Sequence, residues 1–481
     1  MTRTNLFQRA LIVLVISLIT LGLFIVGNST MGIITAKAES ETENSIQTTS
    51  FTEASDVYWL VHNGTLILSN EQGNSGLEKW SKDSIASVNN ASSVPWNSSR
   101  ASITEVMYYG PIAPSSIAYW FQDTAITEFD VSVDGTLYLD LKFTTNAMRA
   151  FSGCDQLTAL DLSSTSAPNV TDIESAFDSC TKLVSLDISC FNGAPITNMI
   201  NAFYDCKALK SLDVSGLDTS RVNDFTSVFE KCESLTSLDL TNIDGRNLES
   251  LDSTFRGCKK LTSISFGANF TAEKVTSMKN TFYGCESLTS LDISGFSTSK
   301  VIDMSGTFNA CKALDKIKFG AGFNCNAVTS MEKIFLNCFA LTSIDTSEWN
   351  AKNVKNLSHA FDSCGLIETI DLSGFDGAQP TEIKGMFEAM TSLKSIDLRM
   401  DLSLVKDFGS LFNGCSALES FDFSSIDTSS AIDMSGMFNG CSSLKEIDFT
   451  GVDTSSVTTM DSMFYNCKKL QEIKIPDGIT S

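Results

Sequence analysis

A phenylalanine that returns every 25 to 27 residues constrains this chain more than any other feature. It stands at Phe151, Phe177, Phe203, Phe229, Phe255, Phe282, Phe308, Phe335, Phe361, Phe387, Phe412, Phe438 and Phe464, thirteen times in all. In the full form of the repeat a Cys follows it by three residues, and Leu, Ile or Phe follow by six, nine and eleven. The stretch MSGMFNGCSSLKEIDFTGVDTSSV, from Met434 to Val457, is a nearly complete copy. A fixed period of roughly 20 to 29 residues with an L-x-x-L-x-L core marks a leucine-rich-repeat solenoid, because one such unit cannot bury its apolar face alone and must stack on its neighbours.

Two periodicities run inside each copy. Met434, Met437, Phe438 and Cys441 have the spacing of one stripe of a short helix. Ile447 and Phe449 then alternate with Glu446, Asp448 and Thr450, as in a half-exposed strand. Asp453, Thr454 and Ser455 supply turn chemistry. The expected fold is an α/β solenoid of thirteen coils, each with a parallel strand, a turn and a short helix. Gly267 and Gly320, in the longer strand ends ISFGANF and IKFGAGF, predict a changed turn or bulge.

Before the repeats, Arg3 and Arg9 precede an apolar run from Ala10 to Val26, and Ala36-Lys37-Ala38 resembles a cleavage site. Residues 1–38 therefore read as a secretory signal peptide, with an uncleaved membrane anchor as the alternative. Residues 39–55 are polar and acidic and read as a linker. Residues 56–130 lack the repeat but hold four of the five Trp, which suits a cap over the exposed first coil. Phe121 looks like a degenerate coil within it. Residues 131–481 make the solenoid, which ends without a polar capping helix and is expected to continue or to be covered by a partner.

The formal net charge of −23 repels phosphate backbones, so nucleic acid is excluded as a partner class. Cations or basic protein surfaces fit better.

Twelve of the fourteen Cys fall on the repeat position, beginning with Cys154, Cys180, Cys206 and Cys232. A secreted protein meets an oxidising compartment, so bridges between coils are conceivable. Met390 occupies the position in one coil, however, which a packing site tolerates and a bridge does not. Buried thiols beside the Phe are the expectation. Cys190 and Cys325 lie off this ladder and would be the reactive ones if exposed. No C-x-x-C or Cys/His cluster points to zinc.

The outward strand residues form a second column: Asp161, Asp187, Asp213, Asp239, Asp292, Asp345, Asp371, Asp397, Asp422 and Asp448, broken by Ser265, Lys318 and Lys474. Ser or Thr precedes most of them by two residues. Such a face repels itself, so either hydroxyls, water and the lysines offset the charge, or the strip binds Ca²⁺ or a basic partner surface. No aromatic residue occupies these positions, which argues against sugar or single-strand binding.

Catalysis is not expected. The only two His, His62 and His359, are far apart in sequence, and no G-x-S-x-G, H-E-x-x-H or phosphate loop occurs. No cofactor is expected beyond the Ca²⁺ reading.

The repeat M-x-x-M-F-x-x-C-x-x-L-x-x-L-D-L-S-x-F-D-T-S-x-V, together with Gly64 to Leu68, Pro95-Trp96, Ile103 to Val106, Gly110 to Ala113 and Phe121, resembles the BspA-type leucine-rich-repeat surface proteins of bacteria. That resemblance implies a secreted or cell-surface, envelope-associated adhesion module that binds an extracellular or host matrix protein without catalysis. A structural spacer displaying a further domain, or a cation-stabilised scaffold, is the alternative. The chain departs from the family pattern at Met390 and in lacking a recognisable wall-sorting tail.

Overall fold

A computed structural model describes residues 56–70, 77–133, 135–424 and 426–474. The segments read as signal peptide and linker, residues 1–38 and 39–55, lie outside the described residues. No helix among the described residues is long and apolar enough to cross a membrane.

The repeat winds as a solenoid of stacked coils, and the strand side is as the alternation predicts. Ala159–Asp161 pairs in parallel with Ser185–Asp187, Ser237–Leu240 with Ser263–Phe266, Ser290–Asp292 with Lys316–Lys318, and Glu446–Asp448 with Glu472–Lys474. The register sets Leu160 beside Leu186 and Asp161 beside Asp187, so one face of each strand is dry and the other wet.

The expected short helix is absent. Among the described residues the one α-helix is α1, Lys82–Ala86, which lies before the repeats. Each segment around a repeat Phe is instead a run of turns. Ser175 and Ser179, on either side of Phe177, both have positive φ (51° and 59°), as do Asn201 and Asp205 around Phe203 (55° and 58°). A left-handed residue ends any helix, and it redirects the peptide planes. The N–H groups of Ser175, Phe177 and Ser179 consequently donate to the carbonyls of Ile200, Ala202 and Tyr204 in the next coil, at 2.9, 2.9 and 2.8 Å. Alongside them, the N–H groups of Ala176 and Cys180 close four-residue β-turns onto the carbonyls of Ile173 and Phe177 at 3.0 and 3.3 Å. The apolar spacing of three and four residues fits these turns as well as a helix. A helix would have kept its hydrogen bonds within one coil, whereas the turns tie neighbouring coils together on this side too.

The core is the stack of repeat phenylalanines. Phe121 begins it at 5.1 Å from Phe151, ring centre to ring centre, and it continues without a gap through Phe464. Beside it, each ladder thiol reaches the carbonyl oxygen of the Phe in the preceding coil: Cys180 to Phe151, Cys206 to Phe177 and Cys232 to Phe203, at 3.1, 3.1 and 3.2 Å. A buried carbonyl has two lone pairs. Phe177 O receives the N–H of Cys180 at 3.3 Å and the S–H of Cys206 at 3.1 Å, so both are used. The cysteines are free thiols.

Four strands precede the coils: β1 (Val57–His62), β2 (Thr65–Ser69), β3 (Glu78–Trp80) and β4 (Glu105–Tyr109), in the order β3-β1-β2-β4. Asn63 and Gly64, both at positive φ, make the two-residue turn between β1 and β2. Trp96 sits among Trp59, Trp80 and Trp120 at 5.8, 5.5 and 5.6 Å, and its indole N–H donates to Trp120 O at 2.7 Å. Trp120 in turn meets Phe121, the head of the stack. Coil-type pairing with the following segment is already present at Ile112 and Ser116, which bridge Leu139 and Asn146.

Gly267 and Gly320 are explained by close approach. A Cβ at either would collide with the backbone oxygen of Thr241 or Ser294 in the preceding coil.

Candidate functional site: the strand face and a histidine–carboxylate cluster

All ten column aspartates are exposed on the strand face. The structure gives each one a local task. Its Oδ1 accepts the backbone N–H two residues on: Ser163 to Asp161, Ser189 to Asp187, Ser215 to Asp213, Thr241 to Asp239, Ser294 to Asp292, Ser347 to Asp345, Ser373 to Asp371, Arg399 to Asp397, Ser424 to Asp422 and Thr450 to Asp448, over 2.8 to 3.4 Å. These are Asx turns that bend the chain out of the strand.

The same bonds offset the charge repulsion. Hydrogen bonds from the Ser163 and Ser215 residues hold the carboxyls of Asp161 and Asp213 below the usual range. Two of the three breaks in the column are cationic partners for the preceding coil. Lys318 binds Asp292 at 2.8 Å and Lys474 approaches Asp448 at 3.7 Å. The Lys318 ammonium, with Ser294, brings Asp292 down to about 2.

Two further Asx columns stand beside this one, the first at the turn expected of Asp453 and the second at a place where no turn was expected. Asp218, Asp244, Asp401, Asp427 and Asp453 accept from the second residue on, at the turn after the strand. Asn146, Asp172, Asn198, Asp224, Asp303, Asn356, Asp407 and Asp433 do so five residues before each Phe. The signal for the second column was present as Asp or Asn at a fixed offset, but mixed residue types blurred it.

Near the second of these columns a shallow polar groove of about 450 Å³ opens between Asn198, Asp224, Glu249 and Ser250. It holds no imidazole or thiol.

Cys190 and Cys325 are both buried, and burial pushes both thiols up. The reactive role that exposure would have given them does not arise. His62 is exposed beside Asn63. His359 lies elsewhere and is not isolated: its Nδ1 is 2.9 Å from Asp362 Oδ2 and 3.7 Å from Glu388 Oε2. Spacing along the chain does not point to such a grouping, because Glu388 comes from the next coil.

The sequence model of a family described as "Mycoplasma protein of unknown function, DUF285" matches residues 145–266, 249–375, 316–398 and 381–475. Among solved structures, a leucine-rich cell surface protein from Faecalibacterium prausnitzii is 17% identical, with a TM-score of 0.36 over 88% of this chain and 94% of that one. A leucine-rich-repeat protein from Eubacterium ventriosum is 16% identical, with a TM-score of 0.30 over 88% and 83%. An internalin from Listeria monocytogenes is 15% identical, with a TM-score of 0.22 over 68% and 83%. No curated protein matches the chain.

Proposed function

We propose, from the premise that this chain belongs to the family described as Mycoplasma protein of unknown function, DUF285, that its solenoid is a non-catalytic protein-binding module of the BspA-like adhesin type, working outside the cell or at its surface. The observation that carries this reading is the strand face. Asp Oδ1 is committed to an Asx turn in coil after coil, while the carboxylate as a whole stays exposed and regularly spaced. Repeated weak contacts along such a face suit a basic patch on an extracellular or host matrix protein, by summing many small terms. The aspartates stand in parallel, and opposed carboxylates across a cleft, as glycoside hydrolysis requires, are not formed by this column.

Asparagine keeps the Oδ1 acceptor and removes the charge. A variant with Asp213, Asp239, Asp345 and Asp371 changed to Asn should therefore fold normally and bind matrix proteins less. Binding of the parent should also weaken as salt rises. Unchanged binding by the folded variant, in low and high salt alike, would move the site off this face.

The Asx turns also favour a second reading, in which the column serves only the scaffold and the solenoid is a spacer. Removing several internal coils would then leave binding intact. The Ca²⁺ reading predicts a higher melting temperature in millimolar Ca²⁺, reversed by chelator.

A further inference from the structure

On the turn side of the coil, around Phe361, three metal-ligand side chains converge from two coils. His359 stands two residues before Phe361 and Asp362 one after it; Glu388 takes the place after Phe387, one coil later. Their donor atoms lie within 4.8 Å of one another, with His359 Nδ1 at 2.9 Å from Asp362 Oδ2 and 3.7 Å from Glu388 Oε2. Ligands held about 2.1 Å from a tetrahedral ion are about 3.4 Å apart, which those two separations bracket. We propose that His359, Asp362 and Glu388 bind one divalent transition-metal ion of the zinc class.

The neighbours are arranged as outer-shell supports. Ser363 Oγ donates to Asp362 Oδ1 at 2.8 Å, and Asn413 Nδ2 donates to Glu388 Oε1 at 2.8 Å. Each carboxylate is thereby held by one oxygen while the other faces the imidazole. Gly385 makes the space: a Cβ there would lie 2.7 Å from His359 Nδ1 and 3.0 Å from Glu388 Oε2. The coils before it put Ser175, Asp178 and Tyr204, or Ser227, Glu230 and Arg256, at the corresponding places, so the scaffold does not impose this trio.

The local field favours added positive charge. Two carboxylates, Asp362 and Glu388, face the one imidazole of His359. Lys333 and Lys384 oppose this from adjacent turns, but Lys384 is engaged by Asp407 at 3.0 Å and Lys333 by Glu332. An imidazole with two carboxylates suits zinc-class ions better than the all-oxygen set that Ca²⁺ takes.

The test is calorimetric titration of the chelator-stripped full chain with Zn²⁺ near neutral pH, with optical titration by Co²⁺ alongside. The expected result is one ion per chain and a Co²⁺ spectrum without thiolate charge transfer. His359→Ala and Glu388→Gln should each weaken binding by about tenfold or more, while His62→Ala leaves it unchanged. Circular dichroism and melting curves establish that each variant is folded, and Glu388→Gln carries the test if His359→Ala is not. Absence of Zn²⁺ binding by the native chain would overturn the proposal and leave a protonated imidazole as the counter-charge. So would Zn²⁺ binding that survives both substitutions, or thiolate absorption in the Co²⁺ form.

Discussion

At the residue scale, the repeat Phe and Cys act as one unit. The ring fills the centre of a coil, and its carbonyl receives the thiol of the next coil, so neither residue is explained by hydrophobicity alone. Phe282→Ala removes a ring stacked at 5.3 and 5.7 Å on its neighbours and should cost about 3–5 kcal/mol in chemical denaturation. Cys206→Ala deletes a small side chain and one acceptor's second partner, and should cost about 1–2 kcal/mol. The thiols also make a pH prediction. Burial raises Cys154, Cys258 and Cys415 from the ordinary 9.0 to about 12, with other ladder thiols also raised. The folded chain then holds protons that the unfolded chain releases, so stability is intact below pH 9.0 and falls as pH rises towards 12. A melting temperature that stays flat across that alkaline range would contradict buried, protonated thiols.

At the scale of the element, the turn run around each Phe is the main departure from expectation. Its left-handed positions are filled by Ser, Asn, Asp, Lys, Arg, His, Ala or Gly and by no β-branched residue, Ser253 at φ 55° among them. A β-branched side chain resists that conformation. Ser253→Val should lower stability by about 1–2 kcal/mol, and Ser253→Gly should not. The cap joins the coils through Arg100, which is buried and donates to the carbonyls of Ala91, Tyr119 and Gln122 at 3.2, 2.5 and 2.8 Å. Arg100→Leu leaves those three acceptors short of partners and should destabilise the N-terminal end selectively. Hydrogen exchange would then accelerate in β1 to β4 before it does in the central coils.

At the scale of the whole molecule, coils touch mainly their neighbours, and stability becomes a sum along the stack. Salt links add to this between coils, as in Lys394 with Glu368 and Lys445 with Glu419, both at 2.6 Å and exposed. Deleting one complete internal period, such as residues 283–308, should therefore leave a folded solenoid with a lower melting temperature. Collapse of the whole fold on that deletion would show a globular dependence that the contacts do not indicate. Acid acts on the strand face as a unit as well. Asp292 falls from 3.8 to about 2 on folding, so its contribution is present above pH 3.8 and disappears as pH drops through 2.

Residue periodicity by itself determined the solenoid, the number of repeat phenylalanines, the inward Leu and Phe positions and the outward Asp column, because each is a one-dimensional consequence of one face needing burial. It also marked the cysteines as packing residues through Met390, and the two unusual strand ends through Gly267 and Gly320. It could not tell a helix from consecutive turns around Phe177, since both place apolar residues three and four apart. The sign of φ at Ser175 and Ser179 decides between them, and that depends on carbonyls one coil away. For the same reason only the tertiary structure joined Glu388 to His359 and Asp362. Their proximity is set by the stacking of two coils, and separation along the chain carries no record of it.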